Sequence, residues 1–84
     1  MKVTVYSKPF CVACDATKRL LTKLQISHTV VDVTEDAKAL AYVKSLGYSG
    51  APVVVAELPS GIQHWAEFRE AKMKELSREL QLTR

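Results

Sequence analysis

The sequence predicts an α/β domain of order β-α-β-α-β-β-α, a four-stranded mixed sheet flanked by three helices. Three observations lead there. Short β-branched runs alternate with longer segments whose apolar residues recur at helical spacing, the pattern of βαβ construction. The last two strand-like runs are separated by Pro59-Ser60-Gly61, turn chemistry that joins them as a hairpin. No linker, internal repeat or low-complexity tract interrupts the 84 residues, so one domain over 1–84 is expected.

Lys2 to Tyr6 reads as the first strand, with Val3 and Val5 on one face. After the loop Ser7-Lys8-Pro9-Phe10, a helix is predicted from about Val12 to Leu24, its apolar stripe formed by Ala16, Leu20, Leu21 and Leu24. His28 to Val33 is nearly continuous in apolar, β-branched character, as a central parallel strand would be. Thr34 then offers an N-cap with Glu35 and Asp36 in the first turn. The second helix runs to about Leu46, burying Ala37, Leu40, Val43 and Leu46, and Gly47 stops it. Pro52 to Ala56 is the third strand and Ile62 to Trp65 a short fourth. The last helix is predicted from about Glu67 to Leu80, with Met73, Leu76 and Leu80 inward.

Composition narrows the function classes. Twelve Lys and Arg against nine Asp and Glu leave a net charge of +3. The basic residues are dispersed, and Arg69, Lys72, Lys74 and Arg78 alternate with Glu67, Glu70, Glu75 and Glu79 as on a solvated helix face. That pattern argues against nucleic-acid binding and fits a mild preference for acidic protein partners. The N-terminus lacks the apolar stretch of a signal peptide and no run reaches membrane-spanning length, so a cytoplasmic protein without membrane attachment is expected. No exposed apolar stripe calls for a dimer, and a monomer is expected.

The chemistry lies in the only two cysteines, Cys11 and Cys14. They fall where the first strand's loop becomes the first helix. Residues at i and i+3 share a helical face, close enough for a disulfide with little backbone movement. Cys11 has the helix N-terminus to itself; its unpaired N–H groups and positive dipole end favour a thiolate, and Lys8 adds a nearby positive charge. Cys14, one turn in, lacks most of that support and has Asp15 beside it. The asymmetry implies that Cys11 attacks a substrate disulfide and Cys14 resolves the mixed disulfide. A zinc site would need four ligands, whereas no second CxxC exists and His28 and His64 are unrelated in spacing. A pair of inert core cysteines does not suit the helix-start position.

Tyr6-Ser7-Lys8-Pro9-Phe10-Cys11-Val12-Ala13-Cys14 resembles the active-site segment of glutaredoxins. Gly50-Ala51-Pro52-Val53-Val54 resembles the segment that carries a cis-proline facing the dithiol in proteins of thioredoxin fold. The resemblance implies that fold, a cis Ala51–Pro52 bond, and Ala51 backbone groups free to pair with an extended substrate segment. Trp65-Ala66-Glu67-Phe68-Arg69 resembles the Trp-Ser-Gly-Phe-Arg segment of NrdH redoxins, whose usual active-site form is also Cys-Val-x-Cys.

The NrdH resemblance covers essentially the whole chain. It implies a redox carrier rather than a stand-alone enzyme, with no bound cofactor beyond its own disulfide. Electrons would come from NADPH indirectly, through thioredoxin reductase, and pass to the large subunit of class Ib ribonucleotide reductase for deoxyribonucleotide synthesis. The chain departs from that family at Ala66-Glu67, where Ser-Gly is usual, and at Glu70-Ala71, where Pro-Asp is usual. Trp65 either packs between the last helix and the sheet, as Phe68 would, or helps hold Glu67 and Arg69 in a hydrogen-bond network replacing a glutathione site.

Glutathione-using glutaredoxins, or a general protein disulfide reductase, are the alternative. The former usually keep a Gly-Gly pair near the fourth strand and an Asp opening the last helix; here Gln63-His64 is matched to the glycine pair and Ala66-Glu67 to the helix start. Lys8 could still meet a glycyl carboxylate.

Overall fold

A computed structural model describes residues 2–82. Its elements are β1 (Lys2–Ser7), α1 (Val12–Lys23), β2 (Thr29–Asp32), α2 (Ala37–Ser45), β3 (Val53–Leu58), β4 (Gly61–Ala66) and α3 (Glu70–Leu82). The order along the chain is the predicted one. In the sheet the strands lie β2-β1-β3-β4, with β1 parallel to β2 and antiparallel to β3, and β3 antiparallel to β4.

Alternation along β1 and β3 creates two cores. Val3 and Val5, with Val54, Ala56, Leu58 and Trp65, pack against Leu21 and Ile26 and against Met73 and Leu76. Val53 and Val55 pack against Val33, Ala39 and Val43 on the opposite face. Hence α1 and α3 cover one face and α2 the other. On the α2 face Tyr6 meets Tyr42, ring centroids 5.8 Å apart. Its phenol titrates above the ordinary value, chiefly because burial disfavours the phenolate and then because Tyr42, Glu57 and Asp36 add negative charge nearby.

Several expectations need correction. β2 is an edge strand, shorter than His28–Val33 and with Thr29 and Val30 exposed. His28 lies outside it, its Nδ1 2.8 Å from the Ile26 carbonyl oxygen. The most buried α1 positions are Cys14, Thr17 and Leu21, while Ala16, Leu20 and Leu24 sit half-buried at the margin. The α2 N-cap is Asp36, whose side chain accepts from the Ala39 N–H at 3.0 Å. Thr34 instead turns back, its N–H and hydroxyl donating to Asp32 Oδ1 at 2.8 and 2.6 Å. With the helix starting later, Ala37 is exposed and Ala39 is buried in its place. α3 starts at Glu70, so Glu67 precedes the helix.

Both of the first two helices close in the same way. After α1, the Gln25 N–H donates to Thr22 O at 3.0 Å and the Ile26 N–H to Leu21 O at 2.9 Å, with Gln25 at φ 60°. After α2, the Gly47 N–H donates to Lys44 O at 3.0 Å and the Tyr48 N–H to Val43 O at 3.3 Å, with Gly47 at φ 95°. These are paired Schellman closures, and Ile26 meets Leu21 in the same core beneath the first. Glycine suits the left-handed position in one; glutamine fills it in the other.

Two stability measurements check this account. Asp36→Ala should lower the unfolding free energy by about 1 kcal/mol, and Thr34→Ala by less than half as much, in urea titrations of the oxidised protein. Gln25→Gly should raise it by about 0.5–1 kcal/mol, because a left-handed residue with a Cβ is strained there and glycine is not.

A dithiol at the end of the sheet

The site grows out of the carboxyl end of β1. The strand ends at Ser7, buried, and the chain passes through Lys8, Pro9 and Phe10, all exposed, before Cys11 opens α1. Cys11 is the N-cap, with φ −123° and ψ 103°. Its carbonyl takes the first helical bond, from the Asp15 N–H at 3.1 Å, and its Sγ accepts from the Cys14 N–H at 3.1 Å. A sulfur thus fills the role usually given to a serine or aspartate oxygen. Cys11 and Cys14 are disulfide-bonded, Cα atoms 5.2 Å apart.

The two cysteines differ as expected. Cys11 is 9% exposed and holds the helix cap; Cys14 is wholly buried. On reduction a thiolate at Cys11 would inherit the Cys14 N–H bond and the positive end of α1, whereas a charge on Cys14 would be buried. Lys8 contributes its charge from the exposed loop. Asp15 is turned to solvent and paired with Lys18 at 3.4 Å, so its charge is partly offset. One turn on from Cys14, the buried Thr17 hydroxyl is satisfied by donating to Ala13 O at 2.8 Å.

Register decides what else reaches this end. Tyr6 pairs with Val53 and Val53 with Ala66, so the loop after β1, the segment before β3 and the segment after β4 emerge together. Ala51–Pro52 is cis, with Pro52 buried and Ala51 half-buried. The Glu67 N–H donates to Pro52 O at 2.9 Å, and Glu67 takes φ 68°, the left-handed conformation in which glycine is at ease. Phe68 and Arg69 follow, both exposed, and the Arg69 carbonyl accepts from the Met73 N–H at 3.2 Å.

Trp65 is buried among the α1 and α3 contacts, and its Nε1 has no hydrogen-bond partner among the described residues. It packs as a core residue, while Phe68 does not.

The same register moves the comparison with a glutathione site. Gln63 and His64 pair with Ala56 and Val55, farther down the hairpin, and cannot stand beside Pro52. The residues beside it are Ala66 and Glu67. Gln63 instead donates to Glu79 Oε2 at 3.3 Å, while the Ser60 hydroxyl donates to Oε1 at 2.6 Å, tying the β3–β4 turn to α3. His64 Nδ1 lies 2.8 Å from the Tyr48 hydroxyl, across the edge of the other face. Neither contact was legible in the sequence. Nor was the near-complete exposure of Phe10 and Val12 on either side of Cys11. Among the described residues, no three His, Cys, Asp or Glu side chains are grouped to hold a metal ion, and no helix is long and apolar enough to cross a membrane.

Known proteins share this arrangement. The glutaredoxin family profile matches residues 3–57. The glutaredoxin-like protein NrdH of Escherichia coli K12 is 30% identical over 69 residues, 82% of this chain and 80% of that protein. The gene 56 protein of Mycobacterium phage L5 is 43% identical over 56 residues, 66% of this chain but only 54% of the phage protein, so the match spans about half of that relative's length. Among solved structures, the NrdH-redoxin of Escherichia coli superposes with a TM-score of 0.81 at 29% identity, covering 90% of this chain and 95% of that one. Glutaredoxin 1 of Archaeoglobus fulgidus gives 0.77 at 29% identity, covering 92% and 86%.

The fold is thioredoxin-like. Thiol–disulfide exchange is the chemistry that the cysteine pair and these relatives have in common. By profile, sequence and structure the chain belongs to the glutaredoxin family, on its NrdH-like side.

Proposed function

We propose that the protein is a dithiol electron carrier of the cytoplasm, recharged by thioredoxin reductase at the expense of NADPH and delivering electrons to class Ib ribonucleotide reductase. The observation that carries the reading is the unequal pair: one cysteine capping a helix and 9% exposed, the other wholly buried one turn behind it.

In the reducing direction the Cys11 thiolate attacks one sulfur of the client disulfide and expels the other as a thiolate. The Cys14 thiol then loses its proton, attacks Cys11 Sγ, and releases the second client sulfur. Two electrons and the Cys14 proton leave the protein as Cys11–Cys14 closes, Cys11 having entered as the thiolate. Ala51, at the same sheet end, offers main-chain groups to an extended client segment. Lys8 lends long-range attraction for the thiolate, screened because it is exposed.

Thioredoxin reductase is favoured over glutathione by charge. A tripeptide with two carboxylates would have to settle near Glu67, which the register sets beside Pro52, and near Glu70, which opens α3. Glu67 opposes a carboxylate there, and Glu70 adds a first-turn acid whose charge is partly offset by Lys74 at 2.9 Å. A protein reductase needs no such pocket. The NrdH relatives point the same way, and the ribonucleotide reductase client rests on them.

The cysteine roles are checked by variants. Cys14→Ser should trap a stable mixed disulfide with client, and Cys11→Ser should react at least a hundredfold more slowly. In the reduced protein at neutral pH, iodoacetamide should label Cys11 first; faster labelling of Cys14 would reverse the assignment.

The electron source is checked by NADPH consumption in two coupled assays with one disulfide acceptor at matched protein concentration. The thioredoxin reductase arm should turn over at least tenfold faster than glutathione with glutathione reductase. Equal rates would place the chain with glutathione-using glutaredoxins.

A further inference from the structure

We propose that Phe10 is a specificity-determining residue, an apolar anchor that enters a recess beside a protein partner's disulfide and so favours protein disulfides over small ones. The inference rests on the dithiol reading above and adds the chemistry of the partner.

Phe10 is fully exposed and Val12 nearly so, whereas Cys11 between them is 9% exposed. The attacking sulfur is therefore set back between two protruding apolar side chains. A phenylalanine that buries none of its ring is contrary to the usual placing of this residue type. Its backbone is unusual as well: φ is 54°, a left-handed conformation that is rare for a bulky residue. The position therefore carries a local cost with no packing among the described residues to offset it. Phe68, exposed on the segment after β4, adds a third apolar side chain at the same end of the sheet.

The reaction itself states what covers this rim. A mixed disulfide brings a partner sulfur to about 2.05 Å from Cys11 Sγ, so whatever flanks that sulfur must lie against Phe10 and Val12. A partner with an apolar recess beside its disulfide would bury the ring, and aromatic anchors seated in pockets dominate the energy of such contacts. Glutathione disulfide, carrying carboxylates and no apolar side chain, offers no recess.

The test uses protein reduced with dithiothreitol and freed of it, assayed against insulin as the protein disulfide and against 5,5′-dithiobis(2-nitrobenzoate) as the small one. Phe10→Asn removes the ring yet keeps a residue that tolerates the left-handed conformation. In single turnover with insulin in excess, it should raise the half-saturating insulin concentration about tenfold, leave the limiting rate unchanged, and cost more on insulin than on the aryl disulfide. Phe10→Trp should bring the half-saturating concentration back to within about twofold of the wild-type value. An unchanged half-saturating insulin concentration in Phe10→Asn, an equal loss on both disulfides, or no recovery in Phe10→Trp would overturn the proposal. Because thioredoxin reductase is absent from this assay, failure of the proposed electron source would appear only in the coupled assays.

Discussion

The antiparallel pairing of β1 with β3, from Lys2 opposite Glu57 to Tyr6 opposite Val53, forms the centre of the sheet, and the site depends on it. Both strands are paired along both edges, and their side chains supply most of the strand contribution to the two cores. The pairing ends where β1 gives way to the dithiol loop and β3 begins after Pro52. Adding β4 in register, with Ala66 opposite Val53, brings Glu67 to the same place and lets its N–H bond Pro52 O. A slip of one residue in either ladder would exchange the α1/α3 face for the α2 face and scatter these segments. Such a slip would also turn Glu57, the one exposed residue of β3, onto the α1/α3 face.

On that frame the chemistry rests on one atom with two tasks. Cys11 Sγ caps α1 and, in the proposed reaction, is also the sulfur that meets a client. As a cap a neutral sulfur is a weak acceptor; as a thiolate it is a strong one, and the helix terminus is then best satisfied. The helix therefore stabilises the reduced, reactive form at Cys11 and does nothing comparable for Cys14, which is buried one turn further on. The proposed order of attack and resolution rests on chain direction, which puts Cys11 at the helix start and Cys14 one turn in. Had the pair been placed at a helix C-terminus, the dipole would have opposed the thiolate.

The perimeter of the dithiol gives the protein its own character within the family. Where NrdH redoxins usually have Ser-Gly, this chain has Ala66-Glu67, and the glutamate adopts the left-handed backbone that glycine would take without strain. The fold requirement at that position is thus visible in a residue that meets it poorly, and the substitution sets a carboxylate at the rim. Phe10 does the same on the other side of the site: a bulky residue in a left-handed conformation, presenting a ring to solvent. Acid and aromatic thus stand together at the rim of the dithiol.

What the sequence determined by itself was whatever depends on neighbours along the chain. Helical and strand periodicity set the order of the elements, Gly47 marked the end of α2, and the i, i+3 cysteines at a helix start implied the disulfide. The resemblance of Gly50-Ala51-Pro52 to thioredoxin-fold segments pointed to the cis bond. Tertiary structure decided what depends on residues distant in sequence. An apolar β-branched run looks the same at the centre of a sheet and at its edge, so β2 could be placed only by seeing which strands pair. Thr34 was the expected cap with Asp36 in the first turn, but Asp32 claims Thr34 and Asp36 caps α2 instead. The match of Gln63-His64 to a glycine pair failed because composition does not set hairpin register, which alone puts Ala66 and Glu67 beside Pro52. Exposure of Phe10 was hidden for the same reason: apolar residues are buried by default, and only the assembled surface shows one that is not.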